Sequence, residues 1–190
     1  MIFHFPENGK FVYICFMKQL KSQDIVVLLK ILIMSRQGWK FESLQEQLGL
    51  STSAIYRAME RCVHARFVSP KPFTKIFSLN LIEFLVHGIA YAFATEPGKL
   101  VHGIPTAHSA PPLNKKIVAE EQYVWPSANG TIRGQAIEPL YKHITSFIAS
   151  DLELYELLAL IDAIRVGKTR EKNIASELLK ERIQDYAEKY

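Results

Sequence analysis

Metal or acid–base chemistry in this chain would have to draw on six histidines: His4, His64, His87, His102, His108 and His143. His102 and His108 flank a short stretch, 103–107, where a ligand pair or a proton shuttle could be imagined. Zinc needs three or four convergent ligands, and no cysteine or carboxylate cluster accompanies these two in sequence, so no metal is expected. The cysteines, Cys15 and Cys62, are far apart and in different contexts, which suggests a reducing compartment and no disulfide framework. The sequence has no phosphate-binding glycine loop, no Gly-x-Ser-x-Gly turn and no paired-carboxylate motif; neither an enzyme nor a cofactor is expected. The 106–112 run, with Thr106, His108, Ser109 and two prolines, reads first as a structural belt and second as the lining of a small-ligand or enzymatic pocket. Arg133, Arg165 and Arg170 are candidates for an anionic effector or for ion pairs. The densest set of recognition chemistry lies elsewhere, in Ser51, Thr52, Ser53, Tyr56, Arg57 and Arg61, followed by Lys71 and Lys75. Their hydroxyl, guanidinium and ammonium groups are of the kind that bond base edges and phosphates.

The elements that would position this set are two short helices around a tight turn, residues 41–63. Leu44 and Leu48 give the first helix an apolar stripe at i, i+4. Gly49 suits the left-handed residue that ends a helix, Leu50 plugs the space between the helices, and Ser51 is a good cap for the second. Ile55, Met59 and Cys62 or Val63 continue inward, leaving Thr52, Ser53, Tyr56, Arg57 and Arg61 outside. Downstream, 65–68 and 75–79 read as short strands around a rigid, basic, proline-bounded tip at 69–74, from which Lys71 and Lys75 would reach outward. The 39–41 stretch is a candidate first strand. Asn80 is a candidate cap, with Glu83 completing a capping box, for a helix running to Phe93.

The pattern Leu44-x-x-x-Leu48-Gly49-Leu50-Ser51-x-Ser53-x-Ile55-x-Arg57 resembles the second and third helices of winged helix-turn-helix transcription regulators of the MarR-like class. The resemblance covers about residues 22–93, under half the chain. It implies a winged DNA-binding domain in which Thr52, Ser53, Tyr56 and Arg57 read bases of double-stranded DNA. Lys71, Lys75 and the helix ends, with Ser51 and Arg61, would complete the contact. It also implies a homodimer, because regulators of this kind commonly dimerise through helices outside the DNA-binding core. An antitoxin-like autoregulator, whose second half binds a partner protein, is the alternative.

The rest of the chain bounds these expectations. At 190 residues, 48% hydrophobic and 22% charged, the composition is that of a globular chain of one or two domains, expected in the cytoplasm. Residues 1–80 hold 11 Lys+Arg against 5 Asp+Glu, a balance of +6, and residues 81–190 hold 12 against 14, a balance of −2; the two sum to the whole-chain +4. The basic half is the half with the helix pair, which suits a polyanion. The expected class is therefore mainly α with a small β-wing, in four parts: an N-terminal extension (1–21), the winged domain (22–93), an extended linker or belt (94–139) and a C-terminal helical region (140–190). Two readings of the extension stay open, a strand over 11–16 or a start at Met17. Ser22 is expected to cap a helix from Gln23 to about Arg36, apolar all round and ended by Gly38. Proline and glycine punctuate 94–139, yet Tyr123, Trp125, Ile132 and Ile137 are costly to leave in water, so an ordered wrap with about two short strands is expected. Asp151 caps a helix over 152–166 closed by Gly167. A last helix from Thr169 carries the stripe Ile174, Leu178, Leu179, Ile183, Tyr186 and Tyr190, a candidate dimer surface with the helices at 23–36 and 152–166.

Overall fold

A helix that is apolar around its whole circumference needs neighbours on several sides, and α1 (Ser22–Met34) has them. In the computed structural model, which describes residues 19–35 and 38–188, it is packed against α2 (Phe41–Leu48), α3 (Thr52–His64), α6 (Leu152–Val166) and α7 (Thr169–Ala187). Ile25 to Leu29, Ile31 and Leu32 are all buried. Lys21 caps the helix, and Ser22 is its first residue: the Asp24 carboxylate accepts from the Lys21 backbone N–H at 2.8 Å. Arg36, the 11–16 strand, the Met17 start, Cys15, His4 and Tyr190 lie outside the described residues.

Between α3 and α6 the chain makes α4 (Ser78–Glu83), a π-helical turn (Phe84–Gly88) and α5 (Ile89–Ala92), then strands β1 (Leu100–Pro105), β2 (Tyr123–Pro126) and β3 (Ile132–Ala136). The molecule is mostly helical with a small three-stranded sheet. The expected cap at Asn80 is not made. The helix begins at Ser78, and the Asn80 amide donates instead to the Arg66 carbonyl at 2.8 Å. The hairpin at 65–79 is reduced to one bridge, Val68 opposite Ile76, flanked by Ser69 N–H to Lys75 O and Phe77 N–H to Phe67 O, both 2.8 Å. No strand forms at 39–41, where Lys40 is the extended cap of α2 and Phe41 its first residue.

The sheet lies in the segment expected to be a belt, and it closes on itself. β1 pairs antiparallel with both β2 and β3, which pair parallel with each other. So small a closed sheet leaves no room for side chains at its points of closest approach. A Cβ on Gly103 would sit 2.2 Å from the Trp125 carbonyl oxygen, and one on Gly134 2.5 Å from that of Gln122. Tyr123, Val124, Trp125 and Ile137 are buried, as their apolarity demands. Asp151 caps α6 by accepting from Leu154 N–H at 3.2 Å.

Buried charges tie the layers together. Asp24 on α1 receives both Arg61 Nε at 2.7 Å and Arg61 Nη2 at 2.6 Å from α3. Lys30, two turns along α1, donates to Asp151 at 2.6 Å. On α6, Asp162 accepts from Thr106 Oγ1 at 2.8 Å and Trp125 Nε1 at 2.6 Å, and pairs with Arg165 at 2.7 Å. Arg165 in turn donates to the carbonyls of Phe93 and Glu138, each at 2.9 Å, holding the end of α5 and the exit from β3 against α6. Burial pushes the Asp162 carboxyl up from its ordinary range, while Arg165, Thr106 and Trp125 pull it back down. Arg165 is thus an ion-pair partner of Asp162, the second of the two roles its sequence context offered. The helices put forward as a dimer surface bury one another within one chain: Leu157, Leu160, Ile161 and Ile164 of α6 and Ala175, Leu179, Ile183 and Tyr186 of α7 are in the core. None of the described helices is long and apolar enough to cross a membrane.

Candidate nucleic-acid interface

α2 ends because Gly49 turns left-handed, with φ at 63°, and its N–H bonds back to Gln45 O at 2.9 Å. Two residues later Ser51 is extended and caps α3, its Oγ accepting from Ala54 N–H at 3.3 Å. Leu50, between them, is half-buried against the core. Thr52 Oγ1 donates across the turn to Gln45 Oε1 at 2.7 Å, fixing the angle between the helices. Inside the pair lie Leu44, Leu48, Ile55, Ala58, Met59 and Cys62.

The outward face of α3 follows from that burial. Ser51, Thr52, Ser53 and Arg57 are exposed at its N-terminal end, and Arg57 Nε donates to Ser53 O at 3.1 Å. That bond leaves the far end of the guanidinium free to point away from the helix. Glu60 is exposed one turn further along. A carboxylate there can accept from a cytosine amine but repels phosphate, so it narrows what this face can meet.

Tyr56 is half-buried, and the hairpin tip covers it. Phe73 meets its ring edge-on at 5.7 Å, and Lys71 Nζ stands 4.8 Å from the ring centroid. Phe73 takes the left-handed region, with φ at 64°, to turn its ring inward to this contact. The tip therefore lies beside the helix face, bringing the Lys71 ammonium alongside Arg57's helix. Lys75 stands over Phe77 at 5.8 Å, exposed on the same hairpin.

Arg61 is a correction. It was expected outside as a nucleic-acid contact, and it is buried in the bidentate pair with Asp24. The Asp24 hydrogen bond raises the guanidinium's already high pKa, against the opposing pull of burial. The helical position is right for exposure only if nothing stands opposite, and α1 stands opposite. Lys40 went unnoticed in the sequence. It is exposed just before α2 and shares a cleft of about 520 Å³ with Trp39, Phe41 and the hairpin residues Pro72, Phe73 and Thr74. Its only sequence signal is a cation at a helix start. Among described residues 19–80, six cations are exposed, Lys21, Lys40, Arg57, Arg66, Lys71 and Lys75, against three carboxylates, Glu42, Glu46 and Glu60. With Lys30 and Arg61 neutralised inside, the surface excess is 6 − 3 = +3.

The two histidines of this segment have different surroundings. His102 is exposed on β1 opposite Arg133, whereas His108 is buried. His108 Nε2 donates to Glu121 O at 2.8 Å, its ring lies against Tyr123, and Nδ1 is buried without a partner among the described residues. Thr106 and Ser109 spend their hydroxyls on Asp162 and on Tyr123 N–H, so the 106–112 run is structural at both positions. Among the described residues no group of three or more His, Cys, Asp or Glu could hold a metal ion. No family of proteins, curated protein or solved structure matches this chain.

Proposed function

We propose that residues 22–93 are a winged helix-turn-helix DNA-binding domain and that the protein is a sequence-specific transcriptional regulator of bacterial type, acting in the cytoplasm. The observation that supports this most directly is the combination at the start of α3. A left-handed Gly49 and a capping Ser51 aim an exposed strip of Ser51, Thr52, Ser53 and Arg57 outward, with Lys71 held beside it over Tyr56. In this reading Thr52, Ser53 and Arg57 reach base edges in the major groove, while Lys71, Lys75 and Lys40 contact phosphates on either side. Tyr56 serves as the platform that positions Lys71. The wing is a minimal one, its hairpin held by a single bridge and by Phe73. Binding as a homodimer belongs to the proposal because one recognition helix reads only a few base pairs and two-fold dimers are the usual remedy. Its contact surface has to lie outside the buried faces of α1, α6 and α7.

Sequencing the fragments that the purified chain retains from a pool of genomic DNA tests the reading. A recurrent motif, preferably two half-sites about one helical turn apart, is the expected result. Retention without any enriched sequence would reduce the protein to a non-specific binder, and no retention at low salt would end the proposal. The antitoxin-like alternative predicts instead a second chain that co-purifies through residues 94–190.

A further inference from the structure

A groove of about 430 Å³ separates the π-helical turn and α5 from α7, on a side of the molecule that the nucleic-acid reading does not use. Its volume falls within the range of roughly 300–1,000 Å³ common for small-molecule sites. One wall presents His87 and Tyr91, spaced i, i+4, and the other presents Lys172, Ser176 and Lys180 at the same spacing along α7. Both walls therefore turn a polar stripe inward over a floor that includes Ile164. The π turn is a local departure from α-helical winding, a feature found often at functional sites, and His87 lies within it.

The chemistry of these side chains is one-sided. Lys172 and Lys180 are half-buried, and no ion pair or hydrogen bond occupies either ammonium among the described residues. Two lysines about two turns apart on one face of α7, neither of them in an ion pair among the described residues, leave positive charge along this wall that an anionic group can bridge. Glu177 is the single carboxylate in the lining, against two lysines and a histidine. Ser176 and Asn173 add neutral donors between the lysines. Tyr91, 86% exposed at the rim, offers an aromatic face of the kind that a flat ring system covers.

We propose that this groove binds a small phosphorylated ligand with a flat organic body, its phosphate held between Lys172 and Lys180 and its ring system over Tyr91. The test uses the full chain with adenosine monophosphate, adenosine and inorganic phosphate as probes, followed by titration calorimetry. Adenosine monophosphate should bind saturably, inorganic phosphate more weakly, and adenosine not measurably. The variant Lys172→Ala with Lys180→Ala should weaken adenosine monophosphate by about tenfold or more, the loss of at least one charge-assisted contact. Lys168→Ala, exposed and outside the groove lining, should bind like the parent. Circular dichroism must show the double variant folded; if it is not, charge-preserving Lys172→Arg with Lys180→Arg replaces it, with retained binding expected. Absence of saturable binding by both phosphate-bearing probes, or binding indifferent to the two lysines, overturns the proposal.

Discussion

Replacing Arg61 by alanine separates a structural role from a DNA-contacting one. The Asp24 carboxylate is fully buried, and Arg61 supplies two of its hydrogen bonds, at 2.6 and 2.7 Å; the third comes from the Lys21 backbone. Truncating the guanidinium leaves a buried charge with one weak donor, a change that costs roughly 3–5 kcal/mol. Against a total stability of about 5–15 kcal/mol for a single domain, that is a large fraction. Replacing both partners by apolar residues, Asp24→Leu with Arg61→Met, removes the stranded charge. The residual loss should be near 1 kcal/mol, mostly the missing cap at the start of α1. Urea unfolding followed by the fluorescence of Trp39 and Trp125 compares the parent, Arg61→Ala and the double variant. Gel shifts on whichever variants remain folded add the functional readout, and the double variant should bind DNA like the parent. The reasoning is refuted if Arg61→Ala costs under about 1 kcal/mol, or if the stable double variant loses DNA affinity. Either result would return Arg61 to the interface.

Four further outcomes are expected. Arg57→Ala should cost roughly 1–3 kcal/mol of specific binding and relax the preference at one base pair, read from selection on a randomised site. Lys71→Ala should weaken all sequences alike and reduce the slope of log affinity against log salt by about one, measured by gel shifts at several ionic strengths. In a Cys15→Ser background the Cys62 thiol, pushed well up by burial, should resist Ellman's reagent in the native protein at pH 8 and react only on unfolding; native reactivity there would place it at the surface. Tyr155, whose hydroxyl donates to Pro105 O at 2.7 Å, has its pKa pushed up to about 12 by burial and, secondarily, by Glu156. Because the folded value lies above the unfolded one, its contribution to stability is complete below about pH 10 and is lost between there and about pH 12. Tyr155→Phe should flatten that part of the stability profile in alkaline denaturation curves.

What could be read in the sequence is what neighbours within about one helical turn decide. Gly49, Ser51, Asp151 and Gly167 mark helix ends through interactions with residues three or four positions away, and the helices end where those residues stand. The core of the helix pair was legible for the same reason, from the i, i+4 spacing of Leu44 and Leu48. Asn80 shows the limit of such signals. It has the right type for a cap, but the Arg66 carbonyl across the hairpin claims its amide. The three-stranded sheet was hidden by its own solution to closure. Gly103, Gly130 and Gly134 read as loop punctuation, and they are the residues that let the strands approach so closely. Pro105 and Pro126 also look like breakers, and they stand at strand ends, where a missing N–H costs least.

Arg61 and Arg165 mark the harder boundary, because an arginine's partner decides whether it is a contact or a strut. Asp24 lies 37 positions from Arg61, and Trp125 lies 37 from Asp162, distances at which no periodicity carries information. The arrangement these pairs create has a consequence for function. α1 holds α3 through Asp24 and, two turns on, holds the start of α6 through Lys30 and Asp151. α6 then holds the small sheet through Asp162 and the end of α5 through Arg165. All of these charges but the half-buried Asp151 are buried, so they cannot release their partners without being re-paired or hydrated. The helix face proposed for DNA and the C-terminal half are therefore joined by stiff links rather than by a flexible tether. A ligand between α5 and α7 would press on two elements of that linked frame, α5 through Arg165 and α7 through its packing on α1 and α6. Any influence on α3 would travel as a shift of α1 against the Asp24–Arg61 pair. The Asp24→Leu, Arg61→Met variant should then keep DNA binding and groove binding while losing whatever coupling the parent has between them.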